Sequence, residues 1–188
     1  MTVMDDHDEV LVSVDIEASG ASPSTGSLLS IGACLVDDPS EGIYLELKPI
    51  DGRPWDREAE AVHGLTREHL EASGLQPEPA MAQLEEWLTS ACGPRIPVFV
   101  GFNAPFDWMW VADYFWCYLG RNPFGIAALD LKSYFMGREQ IRRWDQTRRP
   151  DVDARLGIAP DHSHQALDDA RGQARLARKL LTRDRRAR

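Results

Sequence analysis

Residues 10–17, VLVSVDIE, put two carboxylates where a folded chain has few ways to keep them. With period two, Val10, Val12, Val14 and Ile16 make one apolar face, and Leu11, Ser13, Asp15 and Glu17 make the other. The acids therefore point the same way, from a strand too apolar on its reverse side to be an edge. A central strand bears two acids on one face only if something cationic meets them, because unpaired buried charge is costly. Mg²⁺ or Mn²⁺ meets that requirement as a hard ion that prefers carboxylate and water oxygens, whereas zinc calls for more His or Cys nearby.

The rest of the chain supplies a frame for that strand. After a turn-rich stretch at Gly20–Gly26, Leu28–Val36 and Ile43–Pro49 read as two further strands, which makes an antiparallel meander. Helical patterns then cover Arg57–Val62 and Pro79–Thr89, followed by a strand at Pro97–Phe102, a helix at Phe106–Leu119 and a short strand at Ile126–Leu131. The Arg-rich stretch Gly137–Arg149 reads as surface helix plus loop, and Gln165–Leu181 as a last helix. The class is α/β, and 188 residues make one domain over 10–182, with an acidic tail at 1–9 and a basic tail at 183–188. No apolar run nears the roughly 20 residues of a membrane span, and MTVMDDHDE is acidic where a signal peptide is basic, so the expected location is cytoplasmic. Cys34, Cys92 and Cys117 are too few and scattered for a disulfide framework or a thiolate metal site.

More acids join the first pair. Asp107 lies in the middle of a helical stripe with Trp110, Val111, Tyr114 and Tyr118, with no Lys or Arg three or four residues away. On the last helix, Ala166, Ala170, Gln173, Ala174, Ala177, Leu180 and Leu181 face inward; Asp169 falls at the edge of that stripe and Asp168 faces water. A histidine precedes this helix at either His162 or His164, and the residues alone do not separate the two. Four carboxylates and one imidazole suffice to hold two divalent cations and supply a general base, the equipment of phosphodiester hydrolysis. A net charge of −9 opposes a polyanionic substrate. Residues 171–188 hold eight of the 21 basic side chains and one acid, which leaves 13 basic and 29 acidic, a balance of −16, on the first 170 residues. Bound cations would cancel part of it.

Three short motifs in order, DxE in VDIEASG, NxxFD in FNAPFD and HxAxxDA in HQALDDA, resemble those of the DEDDh group of 3′→5′ exonucleases. AVHGLT (Ala61–Thr66) and LLSIGA are similar to further segments of that group. The resemblance implies an RNase H-like fold, a mixed sheet of about five strands (antiparallel meander, then parallel strands) flanked by helices. It implies metal ligands at Asp15, Glu17, Asp107 and Asp169 for two Mg²⁺, with Mn²⁺ as a substitute, and it selects His164 over His162 as the general base. It also implies substrate contacts at Ala18 and Ser19, at His63 and Gly64, and at Asn103 and Phe106, whose ring is a candidate to stack a base. The expected activity is removal of nucleoside 5′-monophosphates from the 3′ ends of single-stranded DNA or RNA, with no membrane partner. Oligomeric state stays open, a homodimer being one option. A non-catalytic nucleic-acid-binding module and an RNase H-type endonuclease are the alternatives. RNPF (Arg121–Phe124) is similar to a stretch of RNase T whose aromatics wedge against terminal bases, but Ala21 and Val62 stand where that enzyme has further phenylalanines.

Overall fold

The computed structural model of the chain describes residues 9–159 and 164–185. Five strands, β1 (Glu9–Ala18), β2 (Leu28–Leu35), β3 (Gly42–Glu46), β4 (Ile96–Gly101) and β5 (Ala128–Asp130), form one sheet in the order β3-β2-β1-β4-β5. The β1–β2 and β2–β3 pairs are antiparallel, and the β1–β4 and β4–β5 pairs are parallel. The meander and the parallel strands thus share β1, which lies at the centre as its alternation requires.

Among the described residues, seven helices accompany the sheet: α1 (Arg57–His63), α2 (Arg67–Ser73), α3 (Pro77–Cys92), α4 (Pro105–Leu119), α5 (Leu131–Arg138), α6 (Arg149–Leu156) and α7 (Ala166–Arg185). The even-numbered side chains of β1 are buried against Met81 and Leu84 of α3 and Trp110 and Tyr114 of α4. The opposite face of the sheet holds a second core, where Val100 packs with Phe135, Val152, Leu156, Ala170, Ala174 and Leu180. Each large apolar side chain buried in these layers contributes roughly 1.5–3 kcal/mol relative to exposure. Among the described residues, no helix is long and apolar enough to cross a membrane.

Several details differ from the sequence reading, with local causes. The fifth strand is limited to Ala128–Asp130, because a turn closed by Gly125 N–H on Asn122 O (3.0 Å) leaves Ile126 89% exposed. Helices α2, α5 and α6 escape periodicity because each is short and buries few side chains, only Leu131 and Phe135 in α5. Phe124 of the RNPF stretch is buried edge-on against Phe99 (5.3 Å) and Phe115 (6.3 Å), so it belongs to the core and not to a base-wedging surface. Glu9, assigned to the acidic tail, already pairs with Ile96 in the sheet, and α7 runs past 182 to Arg185. Residues 1–8 and 186–188 of the two tails, and His162, lie outside the described residues.

Candidate active site

Asp15 and Glu17 occupy the C-terminal end of β1, on the face covered by α7. The register between β1 and β2 shifts at Glu17/Ala18, an irregularity of the kind that re-aims side chains beside active sites. Asp107 enters from the first turn of α4, is 6% exposed, and accepts the Ile16 N–H at 3.2 Å, which ties it to the segment between the two β1 acids. Asp169 comes from the first turn of α7, and His164 lies just before that helix in a left-handed conformation, φ 52°. Ligand atoms of Glu17, His164 and Asp169 all lie within 4.8 Å of one another.

Close approach of α7 to the sheet depends on Gly32, the β2 residue paired with Asp15. A Cβ at this position would lie 2.1 Å from both the Ala166 carbonyl carbon and the Leu167 nitrogen. Only a glycine lets the start of α7 rest on β2 so closely, and that contact sets the height of Asp169 above Glu17.

The electrostatics of this convergence are unfavourable without a cation. Burial first, and then the charges of Asp107, Asp169 and Glu17, hold the Asp15 carboxyl well above the usual carboxylate range. Burial and Asp169 push Glu17 up to about 7. Burial raises Asp107 to about 8 against the Ile16 amide, which favours its charged form. Converging carboxylate oxygens beside the His164 imidazole form a donor set suited to hard divalent cations.

The remaining candidates divide. Glu17, Ala18, Val62, His63 and Phe106 line one cleft of about 350 Å³. In it, Phe106 is 38% exposed, consistent with a ring available for stacking. Nδ1 of His63 accepts the Leu65 N–H at 3.0 Å, so Nε2 carries the proton, and that buried atom has no hydrogen-bond partner among the described residues. Ser19 is turned away: its amide donates to Ser27 O (2.9 Å) and its hydroxyl accepts from Ser27 N (2.8 Å). Gly64 caps α1 through Glu60 O at 2.8 Å and is not part of the cleft lining. Asn103 is exposed at the turn into α4 with φ 64°, and its carbonyl accepts the Phe106 N–H at 3.1 Å.

The structure also shows a residue whose part was missed in the sequence. Gln173 is 3% exposed; its amide N–H donates to Asp15 Oδ1, and its carbonyl accepts the Phe102 N–H at 2.7 Å. It joins α7, β1 and the end of β4, and it orients the Asp15 carboxylate. The available signal was an amide inside an otherwise Ala/Leu stripe, since a buried amide requires partners. Ser13 repeats the pattern, donating from its hydroxyl to Ala170 O at 2.8 Å. Arg149, paired with buried Asp153 at 3.0 Å, lowers the Asp15 carboxyl and partly offsets its acidic neighbours.

Comparison with known proteins finds relatives both by sequence and by fold. The RNase_T exonuclease family model matches residues 12–177. The chain is 45% identical over 171 residues to the 3′-5′ DNA exonuclease Cap18 of Escherichia coli, covering 90% of each. The nuclease domain of 3′hExo, a DEDDh family member solved with rAMP, superposes with a TM-score of 0.78 at 14% identity, over 96% of this chain and 95% of that one. E. coli exonuclease I in complex with a dT13 oligonucleotide gives a TM-score of 0.76 at 19% identity, over 95% of this chain and 42% of that one.

Proposed function

The chain belongs to the RNase_T family of DEDDh 3′→5′ exonucleases, and from that premise we propose that it removes nucleoside 5′-monophosphates from single-stranded DNA using two Mg²⁺ ions. The convergence of Asp15, Glu17, Asp107 and Asp169 beside His164 carries the reading. DNA is preferred over RNA because the 45% identical relative is named a DNA exonuclease.

The four carboxylates would hold the ions, which when bound supply charge stabilisation for the attacking and leaving oxygens. His164, exposed at the mouth of the site and within 4.8 Å of Glu17 and Asp169, takes the proton of the attacking water. The water oxygen bonds to phosphorus as the P–O3′ bond breaks, and the departing 3′ oxygen takes a proton from solvent, which leaves a nucleoside 5′-monophosphate and a strand shortened to a new 3′-hydroxyl. His63 borders the terminal nucleotide from the cleft wall, and Phe106 stacks its base. Gln173 holds the Asp15 carboxylate in a single orientation, as outer partners of metal ligands do.

A matched digestion panel tests the proposal: single- and double-stranded DNA and RNA carrying 3′-hydroxyl or 3′-phosphate ends, with Mg²⁺ or Mn²⁺. Single-nucleotide ladders from 3′-hydroxyl single-stranded DNA are expected, with Asp15→Ala inert. Intact DNA with either metal would end the proposal, and cleavage of circular single strands would favour an endonuclease.

A further inference from the structure

On a chain of net charge −9, residues 131–149 carry six basic side chains against two acidic. This stretch runs from α5 through a 3₁₀ turn at Trp144–Thr147 to the start of α6. At its centre Trp144 is 49% exposed, and Lys132 Nζ lies 4.1 Å from its ring centroid. The adjoining Arg143 is exposed and holds Asp145 in a two-point ion pair (3.1 and 2.5 Å), a surface pair that a phosphate can displace. A cation–aromatic contact that served only to latch α5 to the 3₁₀ turn would gain by burying the ring, yet about half of this ring stays in water.

Its location points toward the site. Asp130 caps α5 by accepting from Lys132 N (3.3 Å) and Ser133 N (3.1 Å), and the same carboxylate accepts from Ala104 N at 3.1 Å, three residues before Asp107. On the other flank Arg149 sits 5.4 Å from the Phe102 ring, and its charge acts on Asp15. Both ties lie just beyond the C-terminal ends of β4 and β5, the side of a parallel sheet where ligands bind.

We propose that Trp144 and Lys132 form a binding platform for a nucleotide upstream of the 3′ terminus. Its base stacks on the open face of Trp144, and the flanking phosphates meet Lys132 and Arg143. This assignment rests on the exonuclease reading above and extends it from the terminal residue to the strand behind it. The combination of an aromatic face with fixed cations is what sequence-tolerant single-strand binding requires.

Fluorescence anisotropy of 5′-fluorescein-dT20 in EDTA tests the platform without turnover. Trp144→Ala should weaken dT20 binding roughly tenfold or more, the loss expected for one stacked base, and Trp144→Phe should restore most of it. Lys132→Ala should lower the slope of log affinity against log salt by about 0.7, the value for one phosphate contact on a single strand. Affinity for thymidine 5′-monophosphate, which has no upstream nucleotide, should fall much less in both variants. Wild-type dT20 affinity and salt slope in both variants would overturn the platform, and a lowered Tm with unchanged dT20 affinity would identify a latch only. If the wild-type enzyme binds dT20 through Trp144 yet degrades nothing in the digestion panel, the exonuclease reading fails and the platform stands.

Discussion

Gly32→Ala isolates the packing that brings Asp169 to Glu17. The new Cβ would stand 2.1 Å from backbone atoms of Ala166 and Leu167, where ordinary contact begins at 3.4 Å, so strand or helix must yield by about 1.3 Å. Neither partner is a flexible side chain: β2 is paired on both sides, and α7 is seated in the second core. The strain amounts to an overpacked interior position, about 1–3 kcal/mol, which at this chain length lowers Tm by roughly 2–12 °C and leaves the protein folded. Activity suffers more, because Asp169 and His164 flank the displaced turn, and 1.3 Å is over a quarter of the 4.8 Å span that joins them to Glu17. A misplacement near 1 Å costs on the order of 10²-fold in rate. Gly137→Ala is the matched control: a Cβ there meets nothing within 4 Å, and the substitution should stabilise α5 by about 0.5–1 kcal/mol with unchanged rate. Single-turnover degradation of 5′-labelled dT20, paired with thermal melts, reads both quantities. Wild-type rate in Gly32→Ala would refute the claim that this contact sets the site geometry.

Three further substitutions or conditions separate the roles of the site residues. Gln173→Leu should weaken Mn²⁺ binding about 10–100-fold by releasing Asp15 and cost about 1–3 kcal/mol for the orphaned Phe102 amide; calorimetric titration showing wild-type affinity would deny Gln173 its positioning role. His164→Ala should lower kcat about 10²–10⁴-fold while Mn²⁺ affinity holds, whereas a matching loss of affinity would make His164 a ligand. Without metal, stability should fall as pH rises: Glu17, with a folded pKa of about 7 above its ordinary 4.5, contributes fully below pH 4.5 and loses its contribution through pH 7. That contribution is at most about 3 kcal/mol, cut by solvent screening of a half-buried group. Asp107 continues the same trend through about 8. Melts in EDTA from pH 5 to 9 should show a negative slope that Glu17→Gln flattens, and a flat wild-type profile would contradict it.

Legibility in the sequence followed the physics of each part. Strand alternation exposed Asp15 and Glu17 because a period of two shows through eight residues, and helix phase separated Asp169 from Asp168 because α7 has a continuous inward stripe. Five candidate strands and the antiparallel meander followed from the order of elements, and the mixed RNase H-like sheet from the resemblance of the three motifs. Contacts made by close approach were less legible. Gly32 reads as one small residue in a strand, and only the position of α7 shows why it is glycine. Gln173 reads as a polar interruption until Phe102 and Asp15 are placed on either side of it. Ser19 matched its motif position, yet hydrogen bonds across the β1–β2 connection occupy its groups. Trp144 and Lys132 stand twelve residues apart in a stretch without periodicity, and their pairing depends on how the 3₁₀ turn folds back on α5.

The acidity that first argued against a polyanionic substrate is itself conditional on the site. The formal −9 counts every carboxylate as charged, but in the metal-free cluster Glu17 titrates near 7, Asp107 near 8, and Asp15 is held well above the usual range. Near neutrality these groups retain protons, and binding divalent cations must expel them, so metal loading releases protons and strengthens as pH rises. Each proton lost adds a negative charge that the incoming cation more than offsets. The loaded site therefore presents a less negative surface than its residue count implies, on the same sheet end as the basic 131–149 stretch. A scissile phosphate is therefore held more strongly once the carboxylates have exchanged protons for metal, while capture of the strand behind it on the 131–149 stretch does not wait for that exchange.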